Sequence, residues 1–258
     1  MKQEAFEWIS DEGSRERFLE AKNKIIGLER QRQGIGTLSE KTLHAIVKRY
    51  LEPDEEHHEI PVNGYVADIY HDGSIIEVQT AHFDKLRPKL SVFLNDYEVT
   101  VVYPIPYVKW LSWMDVETGE LGKKRKSPKT GTPYEIFIQL YKVKNFLLHP
   151  NIRIKVLLIN MEEIRLLNGW SYNKKRGSTR YDRIPTELVK EIDITKPEDY
   201  IQFVPMELPE PFTAKDFAKS AHINVELARM SLNILTHTDT VKRIGKSGNT
   251  ILYQVAEW

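Results

Sequence analysis

The stretch YVADIYHDGSIIEVQT, residues 65–80, decides how this chain is read. Two runs rich in Val, Ile and Tyr flank Asp72-Gly73, a strong short-range signal for a two-residue hairpin turn. With Asp72 and Gly73 as the loop, His71 pairs with Ser74, and stepping back along both strands sets Asp68 opposite Glu77. Directly opposed residues on an antiparallel pair have Cβ atoms about 4.5–5.5 Å apart, where like charges destabilise the sheet. Alternation places Ile75, Glu77 and Gln79 on one face, opposite Val66 and Asp68. Either both acids reach water or a positive group sits between them.

Upstream of the hairpin, Phe18, Ala21, Ile25 and Leu28 recur at helical spacing, so residues 14–33 read as an amphipathic helix within an N-terminal segment 1–35. Residues 37–51 read as a second helix with Leu43, Ile46, Val47, Tyr50 and Leu51 on its inner stripe. Downstream, Pro88 suits the first turn of a helix carrying Leu90, Phe93 and Leu94. Residues 97–105 and 108–115 read as two strands, 133–148 as a helix and 151–160 as a strand. This order predicts an α/β fold, a mixed sheet flanked by helices, over residues 36–203.

Residues 204–211, VPMELPEP, hold three prolines in eight positions and read as a linker. Residues 212–258 then form a second domain with two helices, Asn224 capping the second, and a hairpin turning at Gly245–Asn249.

Composition sets limits. The 258 residues are 41% hydrophobic and 29% charged, as in an ordinary globular protein, with no apolar run of membrane-spanning length. The N-terminus lacks the basic start and apolar core of a signal peptide, and there is no cysteine, hence no disulfide framework or thiolate zinc site. A cytoplasmic location is the expectation. Lys+Arg and Asp+Glu are equal at 37 each, which excludes a wholly basic coat. The charge is uneven, however: 52–59 is acidic, while KKRKSPK (123–129) and NKKRGSTRYDR (173–183) are basic. Such loops either are solvated or bind phosphate.

Asp68 followed by Glu77-Val78-Gln79, in the order helix, strand, strand, helix, strand, resembles the PD-(D/E)XK nuclease superfamily over residues 36–115. The resemblance implies a restriction-endonuclease-like core and an endonuclease that hydrolyses DNA phosphodiesters with Mg²⁺, or Mn²⁺ in its place. It assigns Asp68 and Glu77 as metal ligands and sets Gln79 where the family carries lysine. A metal ion would relieve the repulsion between the carboxylates, polarise a phosphoryl oxygen and acidify a bound water. Glutamine positions water by hydrogen bonds but brings no charge, so a silent DNA-binding protein is the alternative. Glu40, on the preceding helix, is the third candidate ligand and catalytic residue. Thr37-Leu38-Ser39-Glu40 equally fits a capping box. His44 is a further phosphate contact or a packed side chain, and the histidines 57, 58 and 71 give only a weak zinc pattern.

Residues 212–258 resemble a winged helix-turn-helix. That resemblance implies a recognition helix exposing Glu226, Arg229, Ser231 and Asn233, and a wing carrying Lys242, Arg243 and Lys246. With six Lys/Arg against four Asp/Glu over 211–258, a protein-docking module is the other reading. The DNA-contact candidates are Arg87 (with Lys89 beside it), Lys124, Arg125, Lys126, Lys174, Lys175, Arg176, Arg229, Asn233, Lys242, Arg243 and Lys246. DNA is the expected partner and a membrane is not. A homodimer is left open.

Overall fold

A computed structural model describes residues 11–31, 41–169 and 177–256. It is an α/β fold with a mixed sheet flanked by helices. In chain order the elements are α1 (Glu12–Gln31), α2 (Lys41–Leu51), β1 (His58–Val62), β2 (Tyr65–His71), β3 (Ser74–Val78) and α3 (Arg87–Phe93). There follow β4 (Glu98–Asp115), β5 (Arg125–Lys126), α4 (Ile136–Leu140), β6 (Ile152–Leu167) and β7 (Thr179–Ile194). Last come α5 (Ala214–Ser220), α6 (Val225–His237), β8 (Val241–Ser247) and β9 (Thr250–Val255). Among the described residues the large sheet runs β1-β2-β3-β4-β6-β7, with β5 paired to β4.

The hairpin forms as its turn dictates. Asp72 and Gly73 lie at φ 48° and 77°, the left-handed pair a tight two-residue turn needs, and Ile69, Tyr70 and His71 pair with Ile76, Ile75 and Ser74. A side chain at Gly73 meets nothing within 4 Å, so replacing it tests the backbone alone. Gly73→Ala is expected to cost about 1 kcal/mol in a denaturant titration. An unchanged midpoint would mean the turn does not need its positive φ.

From β3 the chain passes through a 3₁₀ turn (Phe83–Leu86) and α3, then returns as β4 parallel to β3, Ser74 beside Glu98 through Val78 beside Val102. The two strands expected at 97–105 and 108–115 are one strand. Pro104 and Pro106 fall between the stretch of β4 paired to β3 and the stretch paired to β5, where a missing N–H forfeits least. β7 escaped the sequence reading. Its inward positions Leu188, Lys190 and Ile192 alternate at period two, but a lysine interrupts the apolar signal. Residues 179–183 of the second basic run are thus strand rather than loop.

The chain divides into two compact units, residues 1–60, 104–132 and 157–192 in the first, and 61–103, 133–156 and 193–258 in the second. In the first, α1 buries Phe18 and Ala21, and α2 buries Leu43, Ile46, Val47 and Tyr50, with the Phe18 and Tyr50 rings edge to face at 5.4 Å. Thr42 on α2 donates to Asp182 on β7 at 3.0 Å.

In the second unit the proline-rich segment is not a boundary, because one aromatic cluster spans it. Phe203 meets Phe137 at 5.0 Å, Tyr134 meets Phe217 at 5.9 Å, and the Tyr134 hydroxyl donates to the Phe203 carbonyl. Phe212 and Tyr253 exchange backbone hydrogen bonds at 2.8 and 2.9 Å. Deleting 209–258 is therefore expected to lower the urea midpoint of the remaining chain, since Phe203 and Phe137 lose their cover. An unchanged midpoint would indicate separate cores.

Candidate functional site

Hairpin, helix and strand order bring three charged side chains of the second unit together. Continuing the β2–β3 register by one step sets Asp68 opposite Glu77, and Asp68 Oδ2 accepts the Val78 N–H at 2.8 Å. Glu77 is only 2% exposed, sharing its face of β3 with the buried Ile75, so it is not on the wet side of an edge hairpin. The positive group beside it is Lys89. From α3 its ammonium reaches Glu77 Oε2 at 2.8 Å and Oε1 at 3.0 Å, and donates to the Val66 carbonyl at 2.7 Å. Lys89 is thus an internal counter-ion rather than a freely exposed helix cation.

Burial pushes the Glu77 carboxyl up to about 7, and the neighbouring Asp68 charge pushes the same way. Lys89 pulls it down without winning. A carboxyl so poised changes charge near neutral pH, as functional carboxylates are often arranged to do.

Gln79 lies just past β3. Its N–H bonds the Val102 carbonyl, and its side-chain amide donates to the His82 carbonyl at 3.4 Å. The cation beside the two acids comes from α3, not from the strand position of Gln79. The signal was readable: Pro88 sits in the first turn of the helix, and Lys89 is the first cation after it, one residue ahead of the buried Leu90. What could not be read was which way α3 turns that side chain. Glu40 lies outside the described residues, and His44 is half-buried on α2.

Among the basic candidates, Arg87 is exposed and donates to the Lys142 carbonyl at 2.6 Å. Lys124 pairs with Glu162 and sits 5.5 Å from the Trp110 ring centroid, while Arg125 lies 4.4 Å over Trp113. Lys126 is exposed on β5. Lys174, Lys175 and Arg176 lie outside the described residues. Asn224 caps α6 as expected, its Oδ1 accepting the Leu227 N–H at 2.8 Å. On α6, Glu226 and Arg229 are exposed, but Ser231 is fully buried with its hydroxyl turned back to the Leu227 carbonyl. Asn233 is half-buried and accepts a hydrogen bond from Lys144 at 2.9 Å, and His237 contacts the Lys144 carbonyl at 3.0 Å. The expectation that Ser231 and Asn233 are exposed fails for two reasons: Ser231 lies on the inner stripe of α6 with the buried Ala228, Leu232 and Leu235, and Asn233 is covered where α6 meets the 3₁₀ segment Tyr141–Phe146. Lys242, Arg243 and Lys246 are exposed on β8, whose hairpin turns at Gly248-Asn249.

No helix among the described residues is long and apolar enough to cross a membrane. A family model described as Domain of unknown function (DUF8091) matches residues 41–195. An uncharacterized protein of Treponema pallidum (strain Nichols) is 28% identical over 230 residues, covering 85% of this chain and 87% of that protein. No solved structure matches.

Proposed function

This chain belongs to the DUF8091 family, and we propose that it is a cytoplasmic, Mg²⁺-dependent DNA nuclease with a restriction-endonuclease-like core and a C-terminal winged helix. One observation carries the reading: Asp68 and Glu77 converge across a hairpin with the Lys89 ammonium on Glu77. Support comes from the order α2-β1-β2-β3-α3-β4, whose last strand runs parallel to β3.

The residues fit a hard divalent ion. Two adjacent carboxylates, one raised to about 7 by burial and then by its neighbour's charge, are the oxygen donors Mg²⁺ takes. Asp68 and Glu77 would hold it, and when bound it would supply Lewis-acid polarisation of phosphate. The Val78 N–H fixes the Asp68 carboxylate, and Lys89 keeps a positive charge beside the acids. Gln79 brings no charge to the acids and its amide nitrogen donates to the His82 carbonyl, so Gln79→Ala should slow cleavage far less than loss of either carboxylate.

The test is cleavage of single-stranded, duplex and branched DNA with Mg²⁺, Mn²⁺ or EDTA, together with Mn²⁺ binding followed by its magnetic resonance signal. Metal-dependent cutting is expected. If no DNA is cut and no Mn²⁺ binds, the hydrolase reading fails.

The Lys89–Glu77 pair itself favours a second reading. A cation that satisfies both Glu77 oxygens makes a complete structural pair, as in a catalytically silent DNA-binding regulator on the same fold. Binding of DNA without Mn²⁺ binding would select it.

A further inference from the structure

The first unit carries a second cluster of charge, built on β4, β5, β6 and β7. Glu163, only 3% exposed, accepts from Lys109 at 3.4 Å, Arg165 at 2.8 Å and Arg183 at 3.2 Å. Leu111 and Arg125 are Cα partners, so alternation sets Arg125 on the face of Lys109 and Trp113, where it lies over the indole ring. Lys124, Lys126 and Trp110 occupy the opposite face. One face therefore gathers Lys109, Arg125, Arg165 and Arg183 around the buried carboxylate of Glu163, with an indole beside them.

We propose that this face binds single-stranded nucleic acid, Trp113 stacking a base while Arg125, Arg165 and Arg183 meet the phosphates. Glu163 gathers three long cations into one place and leaves the four-residue group at a net charge of +2, which suits a polyanion. The Arg125 guanidinium makes no hydrogen bond or ion pair among the described residues, so its donors remain for a phosphate. A guanidinium beside an indole offers a partner for both the base and the backbone of a strand. A single strand is favoured over duplex because its base faces are open to the ring. The inference rests on the nucleic-acid part of the reading above and not on its hydrolytic step.

The experiment is fluorescence anisotropy of a labelled thymidine oligonucleotide and of a matched duplex, in EDTA so that nothing is cut. The wild type should prefer the single strand. Trp113→Ala should weaken binding roughly 5- to 100-fold, with Trp113→Phe keeping most of it. Arg125→Gln, at an exposed position, should make the salt dependence shallower. Equal binding by Trp113→Ala, a preference for duplex, or no binding at all overturns the proposal. A protein that binds in this way yet never cuts sinks only the hydrolase reading. One that cuts while Trp113→Ala binds normally sinks only this one.

Discussion

Asp68→Asn and Glu77→Gln are each expected to lower metal-dependent DNA cleavage by at least about a hundredfold while the chain stays folded, because each removes a charged oxygen donor. The pH dependence sharpens this. Glu77 titrates at about 7 in the folded protein, above its ordinary value of 4.5. Its folded form therefore holds a proton that the unfolded chain has already lost. The stability this contributes is full below about 4.5 and lost as pH rises through about 7. A metal needs the ionised form, so Mn²⁺ affinity should climb over the same interval. Asp68→Asn removes a charge that raises the Glu77 value, so its ionisation should move to lower pH. Lys89→Met removes a charge that lowers it, so its ionisation should move higher. Both shifts are readable by carboxyl carbon magnetic resonance, without activity. A Glu77 titration that ignores both substitutions would break the assignment of the three residues to one site.

Glu163→Ala is expected to destabilise the protein by about 3–5 kcal/mol, as when one partner of a buried pair is removed and the charges left behind lose their counter-ion. Here the survivors are three cations, Lys109, Arg165 and Arg183, each held to the same carboxylate. Burial alone would raise the Glu163 carboxyl, but Lys109 and Arg183, with the hydrogen bonds from Arg183 and Arg165, hold it below its ordinary value. Its contribution is therefore present at neutral pH and lost as pH falls through that lowered value. Lys109→Met should cost far less, because two guanidiniums still satisfy the carboxylate. Equal midpoints for Glu163→Ala and wild type in a urea titration would mean that the cluster does not support the fold.

What the sequence determined by itself was local. Asp72-Gly73 fixed the turn, the turn fixed the register, and the register set Asp68 against Glu77, because side-chain alternation leaves no freedom once a two-residue loop is chosen. The stripe on α2 and the cap at Asn224 were legible for the same reason: each depends on neighbours within one turn. Tertiary structure decided the rest. Lys89 becomes the partner of Glu77 only because α3 crosses back beside β3, a contact between elements that spacing along the chain does not specify. Ser231 lies on the inner stripe of α6 with Ala228 and Leu235, and Asn233 is covered by Lys144, 89 positions earlier, contacts that only the packing of α6 decides. The proline-rich stretch at 204–211 looked like a boundary because prolines break elements locally. Whether Phe203, on its near side, shares a core with Phe137 and, through Tyr134, with Phe217 is a question of packing, and packing joined them.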